Sequence, residues 1–90
     1  MEIHDHVMIG PNVTISTASH LLDPDLRLEN GHFNNPVIIN KNVWLGANVT
    51  IFPGIVTGEN SVISAGNIVT KDIPYNVLAF GTPCKVIKNI

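Results

Sequence analysis

Cysteine, charged side chains and long apolar runs are all scarce in this chain of 90 residues. The single cysteine, Cys84, excludes an internal disulfide and favours a reducing compartment, so we expect a cytoplasmic protein. No apolar run approaches the roughly 18 residues of a membrane-spanning helix, and the N-terminus lacks the apolar core of a signal peptide. Charged residues make up 13% of the chain and the formal net charge is −2, so neither a membrane nor a nucleic acid is an expected partner.

A repeat of six residues dominates the sequence, most clearly in residues 39–72. The first positions are Ile39, Leu45, Ile51, Thr57, Ile63 and Val69; the fourth are Asn42, Asn48, Gly54, Asn60, Gly66 and Asp72; the fifth are Val43, Val49, Ile55, Ser61, Asn67 and Ile73. Asn, Gly and Asp are the residues that best tolerate a positive φ, which costs other L-residues roughly 1–2 kcal/mol. A short extended segment followed by a corner therefore predicts a solenoid of parallel strands. An amphipathic helix is disfavoured, because the period is not helical.

The repeat extends over most of the chain. It starts at Ile3, fails between Leu21 and His32, and returns at Phe33. We expect one domain, residues 1–90, with a first coil at 1–20, an extruded loop at 21–32, further coils at 33–73 and a closing segment at 74–90. The chain begins inside the repeat, so we expect either a portion of a longer protein or a first coil that another chain covers. Solenoid ends expose apolar residues and strand edges, which favours self-association.

Several segments together resemble the hexapeptide-repeat acyltransferases. They are the repeats, a histidine at the mouth of the loop, and the stretches NVWLGANVTIFPG, SAGNIVTKDIP and FGTPCKVI. The similarity covers essentially the whole chain, and within the family the maltose and galactoside O-acetyltransferases are the most similar group. The resemblance implies an all-β, left-handed parallel β-helix and a homotrimer with active sites between subunits. It also implies acetyl-coenzyme A (acetyl-CoA) as the donor, no metal, and a sugar or similar hydroxyl as the acceptor.

His20 is the candidate catalytic residue. O-acetylation needs a base that takes the proton of the acceptor hydroxyl while the oxygen attacks the thioester, and an imidazole, with an unperturbed pKa of about 6.5, suits this task. The residues alone favour a solvated loop histidine at this position. The resemblance favours a general base, because the family carries its catalytic histidine there.

The resemblance also assigns residues to the two substrates. Trp44 would line the cleft beside the acceptor, with a contact between subunits as the alternative. The residues expected to bind the coenzyme are Ala47, Ala65, Thr70, Lys71, Lys85 and Lys88. The two alanines would leave the backbone open to the pantetheine arm. Lys85 and Lys88 would face the nucleotide phosphates, although any single lysine can equally be a solvated surface charge.

Three alternatives stay open. The family draws part of its acceptor site from an N-terminal segment that has no counterpart in these 90 residues, so the chain is alternatively a catalytically silent trimeric β-helix that still binds coenzyme A. A zinc site built from His4, His6 and His32 is another hypothesis, for which the spacing is poor. Cys84 is interpreted as a packed structural residue, with a catalytic thiol as the alternative.

Overall fold

The computed structural model describes residues 1–20, 24–25 and 32–90, which build a three-sided column of short parallel strands. The described residues form these strands: β1 Glu2–Ile3, β2 Met8–Ile9, β3 Thr14–Ile15, β4 Ala18–His20, β5 His32–Asn34, β6 Ile38–Ile39, β7 Trp44–Leu45, β8 Thr50–Ile51, β9 Val56–Thr57, β10 Val62–Ile63, β11 Ile68–Val69, β12 Val77–Phe80 and β13 Lys85–Asn89. Most contain two residues, because a corner follows each short extended segment. In this part of the chain, no helix has the length and hydrophobicity required to cross a bilayer.

Each side of the column is a sheet. The first face contains β1, β6 and β9; the second contains β2, β7, β10 and β12, with β13 added antiparallel at its end; the third contains β3, β8 and β11. Trp44 pairs with Val62 and Thr50 pairs with Ile68, eighteen positions further along the chain in both cases. Three blocks of six residues therefore close one coil.

The corners of the column are named here by the faces they join. The first–second edge contains residues 4–6, 40–42 and 58–60; the second–third edge contains residues 10–12, 46–48 and 64–66; the third–first edge contains residues 16–17, 52–54 and 70–72. Residues at the fourth position of a block supply the turn. Those with a positive φ are His6, Asn12, Asn42, Asn48, Gly54, Asn60 and Gly66. Asp72 is not among them, and its carboxylate instead accepts a hydrogen bond from the Val56 amide at 2.8 Å.

The first and fifth positions of the blocks fill the interior. Leu45 and Val49, for example, are fully buried. Three polar residues, Thr57, Ser61 and Asn67, are also buried, and each forms hydrogen bonds. In the first coil the inward residues are more open, since Ile3 and Ile9 are each 46% exposed.

A ladder of asparagine side chains runs down the first–second edge. Asn42 donates to Asn60 at 3.0 Å, and Asn60 donates to Asn76 at 2.8 Å. Replacing Asn60 with alanine removes both bonds and forces a Cβ-bearing residue without a local hydrogen bond to keep a φ of 63°. We expect Asn60→Ala to lower the free energy of unfolding by about 2 kcal/mol in urea titrations. Asn60→Gly keeps the freedom of φ and is expected to cost less; equal losses would show that the backbone angle does not matter here.

The extruded segment has a two-stranded base outside the three faces. Strands β4 and β5 pair antiparallel, with Ser19 opposite Phe33 and His20 opposite His32. Phe33 therefore lies in this pair, and the packed column resumes at Val37, which is fully buried. Most of the expected loop, residues 21–32, lies outside the described residues.

The hairpin leaves the column at the third–first edge. The Asn35 amide donates to the Thr17 carbonyl at 2.6 Å, and the Gly54 amide donates to the Asn35 carbonyl at 3.0 Å. Met8 in the first coil pairs with Trp44, thirty-six positions along the chain. Because a coil takes eighteen residues, the insertion adds one further coil length without changing which residues face inward.

Candidate functional site

A groove of about 540 Å³ follows the second–third edge. Its lining residues are Gly10, Pro11, Trp44, Gly46, Ala47, Val62, Ser64 and Ala65. The coils approach closely here, because a Cβ on Gly10 would lie 2.8 Å from the Ala47 nitrogen and one on Gly46 would lie 2.6 Å from the Ala65 nitrogen. Small residues at this edge are therefore a condition for the stacking of the coils, and they leave the backbone accessible.

The groove carries two unpaired backbone donors. Within the described part of the chain, the amides of Ala47 and Ala65 donate to no acceptor, whereas the Ala47 carbonyl accepts a bond from the Gly66 amide at 2.8 Å. The corresponding residue of the first coil, Pro11, has no N–H. Neighbouring strands lie about 4.8 Å apart, so the two free amides are spaced by one coil. Such donors can bind the carbonyl oxygens of an extended ligand.

Trp44 and two lysines share the outer side of the second face. Residues directly opposite each other in a ladder point to the same side of a sheet. The relevant pairs are Trp44 with Val62, Val62 with Leu78, Leu78 with Lys88, and Phe80 with Lys85. Lys88 is therefore three strands from Trp44, about 14 Å away at the usual spacing. Trp44 is 51% exposed, and both lysines are exposed.

Thr70 and Lys71 lie elsewhere, at the exposed third–first edge. The hairpin that carries His20 leaves the column at the same edge, above them. Of His20 the structure describes the backbone, paired with His32; the position of its imidazole lies outside the described part of the chain. The residues expected to form one site thus fall into two groups within a single chain, one at the second–third edge and the other at the third–first edge.

The remaining histidines have local roles. His4 Nε2 lies 3.5 Å from Glu2 Oε1 at the surface, and His6 forms a corner with a φ of 59°. In the described ranges, no three His, Cys, Asp or Glu residues are grouped so as to hold a metal ion. Cys84 packs against the core, and burial raises the pKa of its thiol, which lowers its thiolate fraction and fits a structural role.

Sequence reasoning missed part of the groove, namely Gly10, Pro11 and Ser64. Their signal was the spacing of the coils: Ser64 lies eighteen positions after Gly46, and Gly10 lies thirty-six positions before it. The first of these offsets follows from the repeat. The second depends on the length of the insertion, which the strand pairing establishes.

Comparison with known proteins accounts for this architecture. A family model for the hexapeptide repeat of succinyl-transferase matches residues 36–71. The chain is 58% identical over 88 residues to a galactoside O-acetyltransferase of Lactococcus lactis, covering 98% of this chain and 42% of that protein. A solved galactoside acetyltransferase in complex with coenzyme A superposes with a TM-score of 0.92 at 51% identity, covering 98% of this chain and 44% of that one. The chain belongs to the hexapeptide-repeat acyltransferase family.

A second solved member of the family gives the same result. The maltose O-acetyltransferase of Clostridium difficile 630 superposes with a TM-score of 0.90 at 54% identity, covering 93% of this chain and 45% of that one. The expected fold, a left-handed parallel β-helix, is therefore confirmed for this hexapeptide-repeat chain. The chain spans less than half the length of each of these three relatives.

Proposed function

We propose that this hexapeptide-repeat chain binds acetyl-CoA and transfers its acetyl group to a hydroxyl, with a sugar as the favoured acceptor class. The groove at the second–third edge carries the proposal, because it combines an apolar wall, free backbone donors and nearby lysines. The solved relative with 51% identity is a complex with coenzyme A, which supports the same choice of ligand.

Each part of the donor has a matching part of the groove. The pantetheine arm is extended and carries two amide groups, whose carbonyls would accept bonds from the Ala47 and Ala65 amides. Trp44 offers an apolar face with a polar N–H, suited to the arm and to an acceptor beside it. Lys85 and Lys88 would attract the phosphates about 14 Å further along the second face.

The transfer step assigned to His20 is a direct displacement. The imidazole would take the proton of the acceptor hydroxyl as its oxygen bonds to the thioester carbonyl carbon. The tetrahedral intermediate would then expel the coenzyme sulfur, and the imidazolium would return the proton to it. The products are an acetyl ester and free coenzyme A, and no metal or covalent enzyme intermediate is needed.

We also infer that the site is shared between subunits of a homotrimer. The groove and the group formed by His20, Thr70 and Lys71 lie at different edges, separated by the third face. One face spans about six residues, roughly 15–20 Å of strand and corner, so a single chain does not bring the groups together. Contact between the third–first edge of one copy and the second–third edge of the next would do so, and a threefold ring of such contacts closes. A cytoplasmic location stays a prediction.

A titration tests the proposal. Acetyl-CoA at 100 times its Kd should add about 2.7 kcal/mol to the free energy of unfolding, which thermal melting detects as a rise of roughly 10–20 °C. Release of free thiol is then followed with a panel of sugars. Absence of stabilisation would contradict the proposal. Binding without thiol release from any sugar would favour the silent trimeric β-helix, and stoichiometric metal in the purified protein would favour the zinc site.

The two lysines of β13 lead to a separate prediction. Lys88→Ala should raise the Kd for acetyl-CoA about fivefold, the effect of one partly screened ion pair, and Lys85→Ala should act in the same way. Neither change should affect the binding of S-acetylpantetheine, which lacks the nucleotide. Lys41→Ala at the first–second edge is the matched control, because Lys41 is equally exposed but faces Glu59 at 4.0 Å. Equal losses for both donors would contradict the assignment of the lysines to the phosphates.

A further inference from the structure

One buried amide, that of Asn67, connects the wall of the groove to the closing segment. Asn67 is 2% exposed. Its Nδ2 donates to the Ser64 carbonyl at 2.7 Å and to the Ala79 carbonyl at 3.3 Å. Its Oδ1 accepts the Gly81 amide at 2.5 Å, and because a backbone N–H only donates, this contact fixes the orientation of the side chain. The amide thus uses both donor hydrogens and one acceptor position.

The column does not require a polar residue at this position. Val49 occupies the equivalent position one coil earlier and is fully buried. Burying an amide costs free energy unless it is hydrogen-bonded, so an apolar residue is the simpler core solution. What differs in the last coil is the neighbouring segment: Gly81 presents a backbone donor where the preceding coil would otherwise be followed by another repeat.

The three partners of Asn67 all flank the donor groove. Ser64 lines it directly, and Ala65 with its free amide follows in the chain. Ala79 belongs to β12, and Gly81 begins the turn that leads into β13, which carries Lys85 and Lys88. The side chain therefore sets the position of the groove wall relative to the two lysines.

We propose that Asn67 is a positioning residue for the acetyl donor, which holds the Ala65 amide and the β13 lysines at the separation that the coenzyme spans. This inference rests on the proposed function. Asn67 contacts neither substrate in it; its effect passes through Ser64 and Gly81. Loss of the amide should therefore weaken donor binding and leave the chemistry at His20 unchanged.

Ser61 provides a matched control. It is fully buried at the previous corner, where Val43 stands one coil earlier. Its hydroxyl donates to the Pro74 carbonyl at 2.5 Å and accepts the Val77 amide at 3.4 Å. Ser61 thus joins the last coil to the closing segment in the same manner, but at the first–second edge, away from the groove.

The experiment compares Asn67→Val with Ser61→Ala, each of which removes the polar group with a small change in volume. Asn67→Val should raise the KM for acetyl-CoA about tenfold or more and change kcat less than about twofold, since small misplacements of binding groups have large effects. Ser61→Ala should lose thermal stability but keep the KM of the unchanged protein. Hydrogen exchange at the Gly66 and Gly81 amides should accelerate in Asn67→Val only. Asn67→Ser replaces Asn67→Val if the valine variant does not fold.

The outcomes separate the two proposals. If the unchanged protein does not bind acetyl-CoA, the proposed function fails, and local exchange at Gly66 and Gly81 alone decides the role of Asn67. If it binds and Asn67→Val keeps the same KM, or if Ser61→Ala raises KM equally, the positioning role is overturned while the proposed function stands. A rise in KM together with local acceleration of exchange, both specific to Asn67, supports the inference.

Discussion

Replacing His20 with alanine is expected to abolish acetyl transfer and to leave the binding of acetyl-CoA unchanged. A positioned general base contributes about 10²–10⁴-fold to the rate, so loss of the imidazole should lower kcat by at least a hundredfold. The column should stay folded, because His20 lies in the hairpin outside the three faces and the buried core is drawn from the coils. Thiol release gives kcat, and calorimetric titration gives the Kd for acetyl-CoA.

The structure offers a close control for this variant in His32. The two histidines are directly opposite each other in the β4–β5 ladder, so His32→Ala changes the same hairpin by the same atoms. We expect His32→Ala to keep most of the turnover. If His20→Ala retains more than about a tenth of kcat, or if both variants lose it equally, His20 does not act as the base.

Gly46→Ala is expected to have the largest effect on stability. The added Cβ would lie 2.6 Å from the Ala65 nitrogen and 2.9 Å from the Ala65 Cα, and both are backbone atoms of the next coil. Backbone atoms cannot rotate away as a side chain can, so the coils must separate and lose packing on either side. We expect a loss of about 3 kcal/mol, which corresponds to a fall of more than about 10 °C in Tm. Circular dichroism melting measures both effects.

Gly66 provides the comparison at the same edge. A Cβ there would meet nothing within 4 Å, and its φ of +77° is close to that of the asparagines at other corners. Gly66→Asn should therefore change the free energy of unfolding by less than about 1 kcal/mol. Equal destabilisation by the two substitutions would show that glycine is needed at this edge for its φ, and that the clash of coils is not the cause.

Part of the site could be predicted because its residues belong to the repeat. Trp44 and Ala47 lie next to one corner, and Ala65 lies eighteen positions after Ala47, so their common location follows from the period. The lysines of β13 are different, because they reach the second face through an antiparallel strand with a bulge between Leu78 and Ala79. No repeat encodes that return, and only their resemblance to family positions pointed to them.

The sequence by itself determined the three-sided column. The tolerance of Asn and Gly for positive φ and the inward apolar positions are local properties, and they recur every six residues regardless of what lies far away in the chain. Only the tertiary structure decided which edge holds the groove, that His20 leaves from a different edge, and that Asn67 joins the last coil to the closing segment. These features depend on contacts between residues that are distant in the sequence, across an insertion and a reversed strand, and a local pattern carries no information about such contacts.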